Sequence, residues 1–422
     1  MIKNKLALLG GEPLINIGGP HKVWPPKADD NELEEIKAQR NIDISIKGKT
    51  GPIKELEDLF LNFLDNKIKY CVSFNSGTSA LLAAYFAMGI EEDDEVMGPA
   101  LTYHAALSPV YFLKGNVILV DINKETRCIE VENIEKFINK KTKVITVVHQ
   151  WGHPADMDKI MKIAKEHSLL VLEDCSHAHG SRYKGKMCGT FGDVAIFSLQ
   201  AQKMIFAGEG GILVTNNEKY YNRATLLGHY RDRSKEEVKD SKYNEYWQTG
   251  FGLKLRISPF NAIVAKHSLM NYEKHKKNRH RCLNYLNEGL KEIDYIENIY
   301  TDEHVDRGAW YGFKPLYIKE KLYDLDKDKL VEALRAEGMH ISAPSGAILA
   351  NQPLYKNIPD LMFNNRKAKK INKLNNYPNA IDIQKRALSL PTFSNWDRDK
   401  NIIDQYILAF KKIQDNIKYL KK

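Results

Sequence analysis

Residues 197–211 read "FSLQAQKMIFAGEGG" and place a lysine, Lys203, between an apolar segment and a glycine-rich turn. The preceding "DVAIFSL" is typical of a buried β-strand, and the following "GGILVTN" is typical of another. A lysine at such a junction is usually a solvated surface residue, because lysines are seldom buried unless they are paired or used chemically. The rest of the sequence distinguishes a solvated surface lysine from a buried lysine that takes part in chemistry.

The centre of the chain alternates short apolar segments with amphipathic ones. Continuous apolar strands separated by helices predict an α/β fold with a mostly parallel sheet covered on both faces. Ligands bind at the carboxyl ends of the strands in such sheets, and His149, Asp174, Ser198 and Lys203 lie at or just after predicted strand ends. The predicted strands are 116–122, 143–149, 169–175, 194–199 and 211–216, and the predicted helices are 79–90, 134–141 and 156–168.

From about residue 284 the pattern changes to one typical of a smaller α+β domain, with a helix predicted over 327–338 and a strand over 313–318. A long helix-compatible stretch, 259–290, would join the two parts. A chain of 422 residues is long enough for two domains. We therefore predict a large domain over 36–283 and a small domain over 284–422, with residues 1–35 packed against the small one.

The composition favours a solvated, lysine-rich surface with a mild preference for anionic small molecules over nucleic acids or membranes. The net charge of +9 is spread along the chain, and no basic stripe carries interleaved aromatic residues. No apolar run approaches the length of a membrane span. The five cysteines form no CxxC pair, which is typical of reduced thiols, so we expect a cytoplasmic location without nucleic-acid or membrane partners.

A lysine that forms a Schiff base with pyridoxal 5′-phosphate (PLP) needs a characteristic set of neighbours. The amine must lose its proton near neutral pH, the pyridine nitrogen needs a carboxylate, the phosphate needs N–H groups at a helix N-terminus, and the ring needs a flat neighbour. The candidates are Asp174 for the ring nitrogen, Ser76, Gly77, Thr78 and Ser198 for the phosphate, Tyr103 for the ring face, and His177 for the phenolic oxygen side.

Taken singly, each candidate has a more ordinary interpretation. Residues 76–78 are also typical of a helix N-cap, and a tyrosine is most often a core residue. A strand-end aspartate and a histidine are equally common without a cofactor. The occurrence of all of them in this order on one α/β framework favours the PLP hypothesis.

The segments "NSGTSAL", "PALTYHAA", "GHPADMD", "LEDCSHAHGS" and "FSLQAQKMIFAGEGG" resemble those of the DegT/StrS-type sugar aminotransferases, which have the aspartate-aminotransferase fold, PLP fold type I. The resemblance extends from about residue 8 to residue 391. It implies that Lys203 forms the Schiff base, that Asp174 pairs with the pyridine nitrogen and that Tyr103 stacks on the ring. It also implies that Gly77, Thr78, Ser198 and Gln200 hold the phosphate.

The family pattern further implies a homodimer with shared active sites and a ping-pong reaction. L-Glutamate or L-glutamine would donate the amino group, and a keto sugar, most often nucleotide-linked, would accept it in amino-sugar biosynthesis. Two residues depart from the pattern. Lys254 replaces an asparagine that reaches the phosphate of the partner's cofactor, a role that a lysine would keep as a point charge, and His177 replaces a commoner glutamine. The histidine variant leaves open a cyclitol acceptor of the scyllo-inosose type.

Two clusters are candidates for substrate contacts. The segment "LLGHYRDR" supplies His229, Arg231 and Arg233 for the mouth of the site, and "GAWYGFKP" supplies Trp310 and Tyr311 from the small domain. Packing and surface charge are the alternative interpretation for both clusters.

Three other functions stay open at the level of sequence. A PLP-dependent sugar dehydratase would share the scaffold, although a histidine replaces the lysine in such enzymes. A non-enzymatic PLP-binding regulator would need a DNA-binding module, and residues 1–40 show no such pattern. The last alternative is a zinc enzyme whose ligands would be His149, His153, His177 and His179; the PLP interpretation includes no metal.

Overall fold

A seven-stranded sheet forms the centre of the computed structural model, which describes residues 5–308, 310–343, 348–356 and 377–420. Its strands are β1 (Tyr70–Phe74), β2 (Glu95–Pro99), β3 (Asn116–Val120), β4 (Thr142–Val148), β5 (Leu170–Asp174), β8 (Val194–Ser198) and β9 (Gly211–Thr215), in the spatial order β1-β9-β8-β5-β4-β2-β3.

All pairs in this sheet are parallel except those of β9, which runs antiparallel to both β1 and β8. The carboxyl ends of β1, β2, β4, β5 and β8 therefore meet at one edge. The α/β fold with a mostly parallel sheet is confirmed. The short strands outside this sheet are β6 (Arg182–Tyr183), β7 (Lys186–Met187), β10 (Ile296–Glu297), β11 (Val305–Asp306) and β12 (Leu316–Tyr317).

Helices cover the sheet and build the rest of the molecule. In the first half of the chain they are α1 (Asp30–Ile42), α2 (Gly51–Phe63), α3 (Gly77–Ala87), α4 (Pro109–Phe112), α5 (Val131–Ile134), α6 (Met157–Glu166) and α7 (Glu218–Gly228). In the second half they are α8 (Asp232–Glu237), α9 (Ser241–Asn244), α10 (Pro259–Met270), α11 (Tyr272–Leu290), α12 (Lys327–Ala336), α13 (Pro353–Lys356), α14 (Pro378–Arg386) and α15 (Trp396–Asn416). No helix of the described residues is long and apolar enough to cross a membrane.

Two predicted helices differ from the observed ones. The stretch 134–141 holds only the end of α5 and a 3₁₀ turn, Glu135–Phe137. Asn139 explains the break, because its backbone N–H donates to Thr142 Oγ1 at 3.0 Å and its Oδ1 accepts from the Lys141 N–H at 3.0 Å. The stretch 259–290 forms two helices, since the Asn271 side chain bonds to the His267 carbonyl at 3.0 Å and ends α10.

Apolar side chains form separate cores around and beyond the sheet. One core on the sheet contains Val72, Leu172 and Leu213 with α3 residues such as Ala84. A second core joins Leu6 and Ile15 to residues of α11, α12 and α15. The predicted boundary near residue 283 falls inside α11 and remains a prediction.

Candidate active site

A cavity of about 800 Å³ opens at the sheet edge where the carboxyl ends of β1, β2, β4, β5 and β8 meet. The structure therefore brings segments together that are more than 200 residues apart. Ten of the residues singled out from the sequence line this cavity: Ser76, Gly77, Thr78, Tyr103, Asp174, His177, Ser198, Gln200, Lys203 and Tyr311.

Lys203 follows β8 and is 9% exposed. Its Nζ lies 4.1 Å from the ring centroid of Tyr311, and its backbone carbonyl accepts a hydrogen bond from Trp24 Nε1 at 3.1 Å. Burial lowers the pKa of the Lys203 amine to about 8, although the carboxylate of Asp174 acts in the opposite direction. The neutral fraction of this amine near physiological pH is thus far larger than that of an ordinary lysine, as a nucleophile or proton acceptor requires.

Asp174 is the buried last residue of β5. Burial raises the pKa of this carboxyl, while Ser176, Lys203 and His149 lower it. Oδ1 accepts the Ser176 N–H at 3.0 Å, and the Ser176 hydroxyl accepts the Ser198 N–H at 3.2 Å. Ser176 consequently ties the ends of β5 and β8 together and orients the carboxylate towards the lysine side of the cavity.

The N-terminus of α3 forms the floor of the cavity beside Ser198. Ser76 caps the helix, because its Oγ accepts the Ser79 N–H at 3.0 Å. A Cβ on Gly77 would lie 2.8 Å from Ser198 Cβ, and one on Gly211 would lie 2.4 Å from the Ser76 carbonyl oxygen. The two glycines let the helix start against the strands, so that its first N–H groups face the cavity as an anion site.

His177 and Tyr311 stack with ring centroids 4.2 Å apart and planes 10° apart. Burial and the charges of Lys203 and Lys314 lower the pKa of His177 well below its usual value. Its Nδ1 is buried without a hydrogen-bond partner among the described residues. The neutral imidazole therefore has an unused polar atom beside the cavity. Tyr103 also lines the cavity and is 65% exposed.

Arg233 and His229 do not reach the cavity, contrary to the expectation from the sequence. Arg233 is fully buried and donates from Nη1 and Nη2 to the two oxygens of Glu57 at 2.8 and 2.9 Å. Its Nε donates to Glu237 at 2.7 Å. His229 is buried with Nε2 bonded to the Ser73 carbonyl at 3.0 Å. Both side chains turn inward because a buried carboxylate and an unsatisfied carbonyl need these donors.

Trp310, Arg231 and Lys254 also lie away from the cavity lining. Trp310 is 3% exposed and packs into the second core near Phe313 and His280, while its neighbour Tyr311 points to the cavity. Arg231 and Lys254 are exposed. Trp310 does not close the cavity, because its side chain is buried in the second core.

The four histidines of the zinc alternative do not form one group. His149 Nδ1 accepts the Ala155 N–H at 3.1 Å, so Nε2 carries the proton that is donated to Glu173 at 3.1 Å. His179 Nδ1 accepts the Ile205 N–H at 3.0 Å. In the part of the chain that the structure describes, the only group with metal-ligand spacing is His149, Glu173 and Cys175, which contains none of the other three histidines.

Several cavity residues escaped the sequence analysis. Lys314 lies in "GAWYGFKP", three residues after Tyr311, and Gln150 and Trp151 come two and three residues after the end of β4. Their position after a strand end was an available signal for Gln150 and Trp151. Glu173 also escaped notice; it is fully buried and accepts the Gly189, Phe191 and Gly192 N–H groups at 2.7–2.8 Å, which fixes the loop before β8.

A buried lysine after β8, a carboxylate at the end of β5 and a glycine-opened helix on this sheet define an enzyme of the aminotransferase fold. The aminotransferase of Psychrobacter cryohalolentis shares this fold, with a TM-score of 0.80 at 23% identity over 94% of this chain and 100% of that one.

Residues 26–405 match the DegT/DnrJ/EryC1/StrS aminotransferase family, so the chain belongs to this family and is a PLP-dependent aminotransferase. A putative L-glutamine:3-amino-2,3-dideoxy-scyllo-inosose aminotransferase of Micromonospora echinospora is 31% identical over 79% of this chain and 78% of its own. GDP-perosamine synthase of Escherichia coli O157:H7 is 38% identical over 52% of this chain and 57% of its own.

Proposed function

We propose that this protein transfers an amino group from L-glutamate or L-glutamine to a nucleotide-linked keto sugar in amino-sugar biosynthesis. The observation that carries the proposal is the buried Lys203 amine, whose lowered pKa and position beside Asp174 suit it to covalent and proton-transfer chemistry. The family supplies the reaction class. The activities of the two relatives support the acceptor chemistry.

The residues present fit PLP. Asp174 would hold the ring nitrogen, and the N-terminus of α3 with Ser76, Gly77 and Thr78 would hold the phosphate together with Ser198 and Gln200. The orphaned Nδ1 of His177 would meet a polar group of the ring, and Tyr103 would cover one ring face. When bound, PLP supplies an electron-withdrawing ring that makes the α-proton of an attached amino acid acidic.

The chain's own groups carry the proton. With PLP bound, the neutral Lys203 amine would accept a proton from the α-carbon of the donor and pass it on, since its pKa of about 8 lies close to neutral pH. Tyr311 lies over the amine and, with the stacked His177, shields it from water. A protonated ring nitrogen would favour the ionised form of Asp174, and this carboxylate would in turn hold the proton on the nitrogen.

We further propose that two chains share each site and that Lys254 of one chain approaches the phosphate of the other. Its exposure on its own chain supports this role, because a surface lysine outside the cavity is available to a partner. Cofactor retention in Lys254→Ala, compared with that in the exposed-lysine control Lys239→Ala, tests the role. Equal retention in the two variants would refute it.

A cyclitol ketone is the second candidate acceptor, favoured by the inosose-type relative from Micromonospora. The test is to load the protein with pyridoxamine 5′-phosphate and add a panel of nucleotide-linked keto sugars and scyllo-inosose one at a time. Return of the PLP absorption with a nucleotide-linked sugar supports the first acceptor class. Return with the uncharged cyclitol alone would overturn it in favour of the second.

A further inference from the structure

Lys314 is a cation that lines the active-site cavity. The reaction proposed above assigns no role to it. Its Nζ lies 4.7 Å from the ring centroid of Trp151, and both residues line the cavity. Lys314 is half-buried, and burial lowers its pKa, with no carboxylate of the described residues opposing the shift. A buried ammonium without a carboxylate is costly unless an anion arrives.

A small recess continues the cavity past Trp151 and Lys314. Its free volume is about 10 Å³, and Gln150, Arg127 and Arg307 also line it. Arg307 is 5% exposed and donates from Nε to the neutral Thr301 hydroxyl at 2.6 Å.

The carboxylate nearest to Arg127 is that of Glu297, at 3.9 Å, and Glu297 also pairs with Arg386. Three cationic side chains, Lys314, Arg127 and Arg307, and one carboxylate, Glu125, line this recess, so the recess has an excess of positive charge. The Gln150 side chain, whose buried Oε1 has no hydrogen-bond partner within the described ranges, adds amide N–H donors.

We propose that Lys314 and this recess form a carboxylate subsite for the amino donor. The inference rests on the proposed function, since it names how that site recognises its donor. The recess has room for about one water-sized group, so one end of a carboxylate fits it and a nucleoside diphosphate does not. The carboxylate has two possible sources: the α-carboxylate of L-glutamate and L-glutamine, or the side-chain carboxylate of L-glutamate alone.

The experiment compares Lys314→Met with the wild type and with Lys327→Met, a half-buried lysine of α12 whose pKa burial also lowers. The first readout is calorimetric binding of glutarate, a dicarboxylate that lacks an amino group and does not react. The second is the rate of the donor half-reaction without acceptor. This rate is measured as a function of donor concentration, for L-glutamate and L-glutamine separately. Lys314→Arg restores the charge.

We expect Lys314→Met to weaken glutarate binding by about 10–100-fold, the effect of one charge-assisted hydrogen bond, while Lys327→Met and Lys314→Arg bind far better. A higher half-saturation concentration for L-glutamate alone would assign the subsite to the side-chain carboxylate. A higher half-saturation concentration for both donors would assign it to the α-carboxylate. Unchanged glutarate and donor binding, or a defect confined to the acceptor half-reaction, would overturn the subsite. If the wild type reacted with neither donor, the proposed function would fail, and glutarate binding would still decide the subsite.

Discussion

Gly77 and Ser198 meet so closely that a Cβ at position 77 would lie 2.8 Å from Ser198 Cβ and 3.1 Å from Ser198 Cα. Gly77 is the first residue of α3, and Ser198 is the last of β8, five residues before Lys203. The contact therefore fixes the distance between a helix N-terminus and the strand that carries the reactive amine. A Cβ at position 77 would therefore displace the backbone of one of the two elements, because the Ser198 Cα is part of the sheet.

Replacing Gly77 by alanine should weaken PLP retention by about 10-fold or more, because the added methyl displaces the α3 N-terminus from the phosphate position. The measurement is the PLP dissociation constant of the apoprotein. Gly18→Ala is the matched control, since a Cβ at Gly18 meets nothing within 4 Å. Equal PLP affinity in the two variants would contradict the phosphate role of this helix.

Lys203→Ala should abolish covalent attachment of PLP and transamination, because no other amine among the described residues combines this burial with a position beside Asp174. Non-covalent retention through the phosphate site is compatible with the hypothesis. Borohydride reduction followed by peptide mass spectrometry identifies the attached residue. Attachment at a different lysine, or full turnover of the variant, ends the hypothesis.

Asp174→Asn should leave the protein folded and reduce turnover by about 10²-fold, since an amide does not hold the ring nitrogen's proton. The control is Asp193→Asn, because Asp193 is a half-buried carboxylate that accepts the Val171 N–H and does not line the cavity. Steady-state kinetics and thermal unfolding separate the two effects. Similar turnover in both variants would show that Asp174 is only a strand-end carboxylate.

The sheet and the lysine side of the site could be predicted because they depend on local signals. Apolar runs fix the strands, and strand ends point to one edge, so Asp174, Ser198 and Lys203 could be placed together from the sequence. Gly77 followed from the N-cap pattern of α3.

The positions of Arg233, Trp310 and Tyr311 could not be predicted, because they depend on packing partners that lie far away along the chain. Arg233 pairs with Glu57, 176 residues away, and no local pattern distinguishes this buried arginine from the exposed Arg231. Trp310 and Tyr311 are adjacent aromatic residues, and only the packing of the second core decides which one faces the cavity.

Arg233→Met should destabilise the fold by about 3–5 kcal/mol without a specific rise in the acceptor KM, because it leaves Glu57 buried and unpaired. Denaturant unfolding measures the loss, and the exposed neighbour Arg231→Met is the control. A raised KM with unchanged stability would restore Arg233 as a substrate contact.

The Glu57–Arg233 pair also sets a pH dependence of stability. Burial raises the pKa of Glu57, but Arg233, Lys49 and Ser73 lower it to about 2, below its ordinary value of 4.5. A depressed carboxyl pKa contributes stability that is complete above the unfolded pKa and is lost as the pH falls towards 2, in total about 3 kcal/mol. Glu57→Gln should flatten the acid limb of the unfolding free energy between these pH values, and an unchanged acid limb would contradict this assignment.

The rate at which the apoprotein attaches PLP should rise with pH through a midpoint near 8, because only the neutral amine of Lys203 attacks and burial lowers its pKa to about 8. Asp174 opposes that shift, since its negative charge favours the ammonium form. Asp174→Asn should therefore move the midpoint to lower pH even though it slows turnover. Attachment is followed at saturating PLP by quenching with borohydride at each pH, so that weaker cofactor binding does not distort the profile. A midpoint that moves upward, or a rate that does not depend on pH, would show that the carboxylate does not act on the Lys203 amine.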